Sequence, residues 1–140
     1  MSIEEQQLIK QQSYSEAMRY MENAKETLKK AGKDDQRYKD RKYVKTACGT
    51  AYSGVLLALD AYLLLKGIKI AKRRKSIEYY CEHLSKLDKK LLQRLNNAYE
   101  SLHLDGYYNG TLNAHIIKSG FDDAYKIINY IKPEEIENYI

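Results

Sequence analysis

Arg94 and His103 are the two residues of this chain whose types suggest joint chemistry. Held on one side of a helix, a guanidinium can grip a phosphate while an imidazole moves a proton, which is half of a metal-independent ribonuclease site. The stretch that carries them, RLNNAYESLHLDGYYNG (94–110), puts eight residues between the pair. At roughly 100° per residue, nine steps leave the two side chains about 180° apart on an α-helix. Arg94, Asn97 and Ser101 are therefore expected to form one wet face, with His103 pointing elsewhere, toward a turn that begins at Asp105. Only unwinding near His103 would bring the pair together.

Other chemistries find less. Cys81 and His83 lie on adjacent faces of one helical pattern and His115 on another, so no spacing suits zinc and no metal is expected. No glycine-rich phosphate loop follows a strand and no nucleophile sits beside a base, so no cofactor is expected and the reading leans away from an enzyme. Asp60 is the carboxylate in an otherwise apolar run, TACGTAYSGVLLALDAYLLL (46–65). Such a group accepts tyrosine hydroxyls or faces a solvated groove more often than it catalyses. The run is long enough to test as a membrane span. Asp60, two glycines and the surrounding amphipathic helices argue instead for a core helix, and no membrane partner is expected. Cys48 and Cys81 are expected as free thiols of a cytoplasmic protein, since two cysteines cannot staple a domain of this size and no secretory leader opens the chain.

The elements that would position these residues are helical. Apolar positions recur at three and four almost everywhere and nothing alternates with period two, so the fold class expected is all-α. The chain of 140 residues has the length of one domain, residues 13–132, with a frayed extension (1–12) and a short acidic tail (133–140). SYSE at 13–16 reads as a capping box opening a first helix that Gly32 closes. A second helix is expected from Asp34 or Asp35 to Gly67, its row of Ala47, Ala51, Gly54, Ala58 and Ala61 marking a close helix crossing. Ser76 caps a third helical region, with a break expected between His83 and Ser85. The paired breakers Asp105-Gly106 and Asn109-Gly110 follow, then a fourth helix capped by Thr111 and ended by Pro133. Fourteen tyrosines, one phenylalanine and no tryptophan leave a core rich in hydroxyls that need partners.

Charge is unevenly spread over a formal net of +5. Six of the ten residues in 66–75 are basic: Lys66, Lys69, Lys72, Arg73, Arg74 and Lys75. A second group, Arg37, Lys39, Arg41, Lys42 and Lys45, crowds the start of the long helix, about 40 Å away by the helical rise. The two cannot form one compact patch within a monomer. The first is expected to be a solvated loop at a helix C-terminus, with anion or nucleic-acid binding as the alternative.

The segments RYMENAKETLKKAG (19–32), YVKTACGTAYSGVLLALDAYLLLKG (43–67), DKKLLQRLNNAYESLHLDGYYNG (88–110) and GFDDAYKIINYI (120–131) resemble a family of bacterial proteins known as a domain of unknown function. The helix order, with a long alanine-rich second helix ending in LLLKG, also resembles the HEPN superfamily. That resemblance implies an up-and-down bundle of four main helices with possible short extra ones, often a homodimer, in a group that includes ribonucleases, toxin components and purely binding members. Its active ribonucleases keep four to six residues between arginine and histidine, a spacing that Arg94 and His103 do not meet. The resulting expectation is a non-catalytic HEPN-like interaction module acting as a homodimer. The alternatives are an RNA- or nucleotide-binding module using the basic loop, or a degenerate HEPN ribonuclease.

Overall fold

The computed structural model describes residues 1–69, 71 and 75–134. The helix α1 (Ile3–Lys30) is followed by a two-stranded hairpin, β1 (Lys33–Asp34) and β2 (Arg37–Tyr38), and by the central helix α2 (Arg41–Leu65). Then come α3 (Ile77–Leu87), α4 (Lys89–Ala98), a π-helical segment (Tyr99–Tyr108) continuous with α4, and α5 (Ala114–Ile128), which tightens into a 3-10 turn at Asn129–Ile131. Among the described residues the fold is all-α apart from that hairpin, with five α-helices.

The first helix departs from expectation at its start. It begins at Ile3, where the Ser2 hydroxyl accepts the Glu5 N–H at 3.0 Å, and runs through Ser13 without interruption. The capping box at 13–16 is overridden because Ala17, Met21 and Ala24 already bury one face of a continuous helix. Residues 3–12 extend that helix rather than forming a separate segment, although Ile3 and Leu8 are exposed. Gly32 closes α1 with φ 66°, a left-handed conformation that glycine adopts at no steric cost.

The long helix starts at Arg41, later than the expected start at Asp34 or Asp35. Lys33 pairs with Tyr38 and Asp34 with Arg37, so the chain reverses through the hairpin before Asp40 caps α2. The hairpin is tied down from the other side. Tyr38 N–H donates to Leu112 O at 2.9 Å and Ala114 N–H to Gln36 O at 2.9 Å. Along α2 the small-residue row does mark a close crossing: a Cβ on Gly54 would lie 3.1 Å from Tyr20 Cβ and 3.3 Å from Ala17 O. α2 is long and apolar enough to cross a membrane, and here more than half of its apolar window is buried inside the fold.

The third helical region breaks at Asp88, not at Ser85. Asp88 leaves helical geometry (φ −160°) and its carboxylate accepts the Leu91 N–H at 2.9 Å, while Ser85 sits inside α3. Nor is Asp105-Gly106 a turn. Gly106 is buried within the π-helical segment, where a Cβ would run into the Cys48 side chain, so its lack of a side chain serves a close approach to α2. α5 is capped by Asn113, which accepts from His115 and Ile116 N–H; Thr111 only accepts the Asn113 N–H. Leu59, Leu84, Leu91, Leu95, Leu102, Ile117 and Ile128 form the fully buried centre between α2, α4 and α5.

Candidate functional site

Arg94 and His103 sit among different neighbours. Arg94 lies at the seam between α4 and α5, its Nη1 3.4 Å from Oδ1 of Asp123. Asp123 is only 7% exposed, so Arg94 is committed to a nearly buried carboxylate rather than to a wet face. Asn97 and Ser101 remain on the polar side of that seam, the Ser101 hydroxyl donating to Asn97 O at 2.8 Å.

His103 turns the other way, onto α2. In the π-helical segment each turn is wider, which brings residues four and five apart onto one side. Tyr99, His103, Tyr107 and Tyr108 therefore gather into one aromatic group with Tyr52 of α2. The His103 ring centroid lies 4.9 Å from Tyr52, 5.1 Å from Tyr99 and 4.9 Å from Tyr108, and its plane is within 2° of Tyr107 at 5.8 Å. The local rewinding that the sequence argument named as the condition for bringing Arg94 and His103 together does occur. It delivers His103 to tyrosines, while Arg94 stays with Asp123.

This aromatic group forms one wall of a groove of about 540 Å³ between α1, α2 and the π-helical segment. Tyr20 closes it from α1, and Thr46, Thr50 and Ser53 line its α2 floor. Each of these three hydroxyls donates to the backbone carbonyl four residues earlier, leaving its lone pairs toward the groove. Gly49 keeps the floor low: a Cβ there would lie 2.7 Å from the Tyr107 ring. Among the described residues no Lys, Arg, Asp or Glu lines the groove. Tyr107 and Tyr108, at its rim, are 45% and 61% exposed. Sequence reasoning missed this site because its residues come from three elements and the π-helical phase is invisible to a 100° wheel. The signal present was the spacing of Tyr99, His103 and Tyr107 by fours.

Asp60 is held by two partners from the following segment. The Tyr80 hydroxyl donates to Oδ1 at 2.9 Å, and Lys75 Nζ lies 3.1 Å from the same oxygen. Burial, then the Asp60 charge and hydrogen bond, push the Tyr80 hydroxyl well above its ordinary pKa. Of the basic loop, Lys75 is thus engaged internally. Lys66 Nζ lies over the Tyr62 ring at 5.5 Å and Lys69 is exposed, while Lys72, Arg73 and Arg74 lie outside the described residues.

Both cysteines are free thiols. Burial pushes Cys48 up to about 12, and Cys81 is also raised, by burial and then by Glu78, so neither is a ready thiolate. Among the described residues no cluster of His, Cys, Asp and Glu is arranged to hold a metal ion.

A family model described as a domain of unknown function, DUF5618, matches residues 12–133. The chain is also similar to the solved structure of a protein of unknown function from Dyadobacter fermentans, with a TM-score of 0.77 and 42% identity over 87% of this chain and 94% of that one. No curated protein matches.

Proposed function

Since the chain belongs to the DUF5618 family, whose description carries no activity, we propose a function from its surface: a non-catalytic interaction module that pairs with a second copy of itself across the tyrosine-lined groove. The observation that carries this reading is Tyr107 and Tyr108, two large aromatic side chains standing exposed beside a groove that no described Lys, Arg, Asp or Glu lines. Interface cores are depleted in charge and enriched in tyrosine, and the commonest assembly of one surface with itself is a two-fold dimer. Thr46, Thr50 and Ser53 keep the α2 face small enough for a partner's rings to lie against it.

Arg94 engaged by Asp123 and two thiols with raised pKa support the non-catalytic side of the reading. The HEPN-like assignment rests on the helix order and on LLLKG closing α2. Free thiols suit a reducing cytoplasm. Sedimentation equilibrium across micromolar concentrations tests the reading: dimer is expected, and monomer throughout would overturn it.

A second reading, RNA or nucleotide binding by the loop 66–75, rests on its six basic residues. It requires that Arg73→Gln with Arg74→Gln lower the slope of log affinity against log salt by about one unit per lost phosphate contact. The degenerate-ribonuclease reading requires RNA turnover that Arg94→Ala and His103→Ala each abolish.

A further inference from the structure

The end of the molecule where α1 turns into α2 carries more positive charge than the fold engages, although Arg41 Nε donates to Gly110 O at 2.9 Å and Lys42 Nζ lies 5.5 Å from the Tyr43 ring centroid. Residues 29–45 hold eight Lys or Arg against three acids, Asp34, Asp35 and Asp40. All eight are exposed, and none forms an ion pair among the described residues. The hairpin gathers them. Lys33 pairs with Tyr38, Lys39 N–H donates to Gly32 O, and Asp40 N–H donates to Ala31 O, so the last turn of α1 and the first turn of α2 lie side by side.

Three of these cations, Arg41, Lys42 and Lys45, stand in the opening turns of α2, whose first turn contains no acid. The backbone dipoles at that end are positive, so these cations work against the helix, and the Asp40 carboxylate that caps it on the Lys42 N–H offsets only part of that charge. The hairpin is also flanked by two adjoining grooves of about 480 and 380 Å³ that share Lys25, Leu28, Lys33 and Tyr38. Their walls carry ring faces as well as lysines. Lys25 Nζ already lies 5.1 Å from the Tyr125 ring centroid, which leaves Tyr38 as the ring offered to a flat partner.

Cations with no ion-pair partner beside an aromatic ring, as Lys29 and Lys33 stand beside Tyr38 in these grooves, are the chemistry that holds a single strand, with phosphates on the lysines and a base stacked on the ring. An anionic bilayer suits the surface less well, because the exposed large apolar residues, Met1, Ile3, Leu8, Leu87, Tyr107 and Tyr108, all lie outside residues 25–45. We infer that the hairpin end of this protein binds single-stranded nucleic acid, with phosphates held by Lys29, Lys33, Lys39, Lys42 and Lys45 and a base against Tyr38. The two hairpin grooves share no lining residue with the tyrosine-lined groove, although Lys42 and Lys45 adjoin Thr46 at its α2 end, and sedimentation reads self-association separately.

The test is fluorescence anisotropy of the full chain with a short labelled oligouridine and the matching oligothymidine, titrated at several salt concentrations. Five phosphate contacts give a slope of log affinity against log salt near −3.5, at about −0.7 per contact for a single strand. Lys42→Gln with Lys45→Gln is expected to flatten that slope by about 1.4 without lowering the melting temperature, since cations near a helix N-terminus do not stabilise it. Lys66→Gln with Lys69→Gln is expected to leave it unchanged. Binding to either oligomer supports the inference, and their relative affinity tells which sugar the surface takes. A slope that Lys42→Gln with Lys45→Gln does not alter, no binding to either oligomer, or binding only to phosphatidylserine vesicles would overturn it. Sedimentation of the same samples reads self-association independently, so either idea can fail alone.

Discussion

Asp123 is nearly buried, and its ion-pair partner Arg94 stands at the edge of the α4–α5 seam. Removing Arg94 leaves a carboxylate in poor surroundings, so Arg94→Ala is expected to cost about 1–3 kcal/mol, an estimate kept low because the guanidinium is partly solvated. In a double-mutant cycle by urea denaturation, Arg94→Ala with Asp123→Ala should cost less than the two single changes summed. Strict additivity would contradict the pairing. Cys48 gives a pH prediction of definite sign. Its thiol is ordinary when unfolded and raised to about 12 when folded, so the folded state holds the proton more tightly. Its contribution to stability is fully present below about pH 9 and is lost as pH rises toward 12. Thermal melts should fall across that window, and less steeply for Cys48→Ala. What was legible at this scale was that Arg94 and His103 face different neighbours across eight intervening residues and that Asp60 accepts a tyrosine hydroxyl. The identity of Arg94's partner was not, because Asp123 comes from a different helix and no local pattern links them.

At the scale of elements, the punctuation that acts locally was readable. Gly32 closes α1, Gly67 follows α2 with φ 86°, and Ser76 caps α3 through the Tyr79 N–H. What misled were signals whose local meaning tertiary packing overrides. SYSE looks like a helix start, yet burial of Ala17, Met21 and Ala24 carries one helix straight through it. Asp105-Gly106 looks like a turn, yet Gly106 is where the π-helical segment presses on Cys48 of α2. Gly106→Ala is therefore expected to destabilise by about 1–3 kcal/mol through overpacking, as measured by chemical denaturation. An unchanged or raised stability would show instead that the approach of the segment to Cys48 can open to take a Cβ. Gly49→Ala should act differently, since the obstacle is the movable Tyr107 ring: stability changes little while the groove rim shifts.

For the whole molecule, the all-α class and the central place of the long second helix could be read from periodicity, because burying an apolar stripe is a property of the sequence itself. The surfaces could not. The tyrosine-lined groove assembles α1, α2 and the π-helical segment, and the basic end assembles two helix termini through a hairpin that the period-two test passes over because each strand has two residues. If two copies meet across the groove as proposed, Tyr107 and Tyr108 are the anchors. The most direct measurement is the dimer dissociation constant by sedimentation equilibrium for the natural sequence and for Tyr107→Ser with Tyr108→Ser. Aromatic anchors at an interface centre are worth about 2 kcal/mol or more, so the double substitution should raise the constant at least ~30-fold with the helical circular dichroism unchanged. An equal constant for the two proteins would contradict the claim.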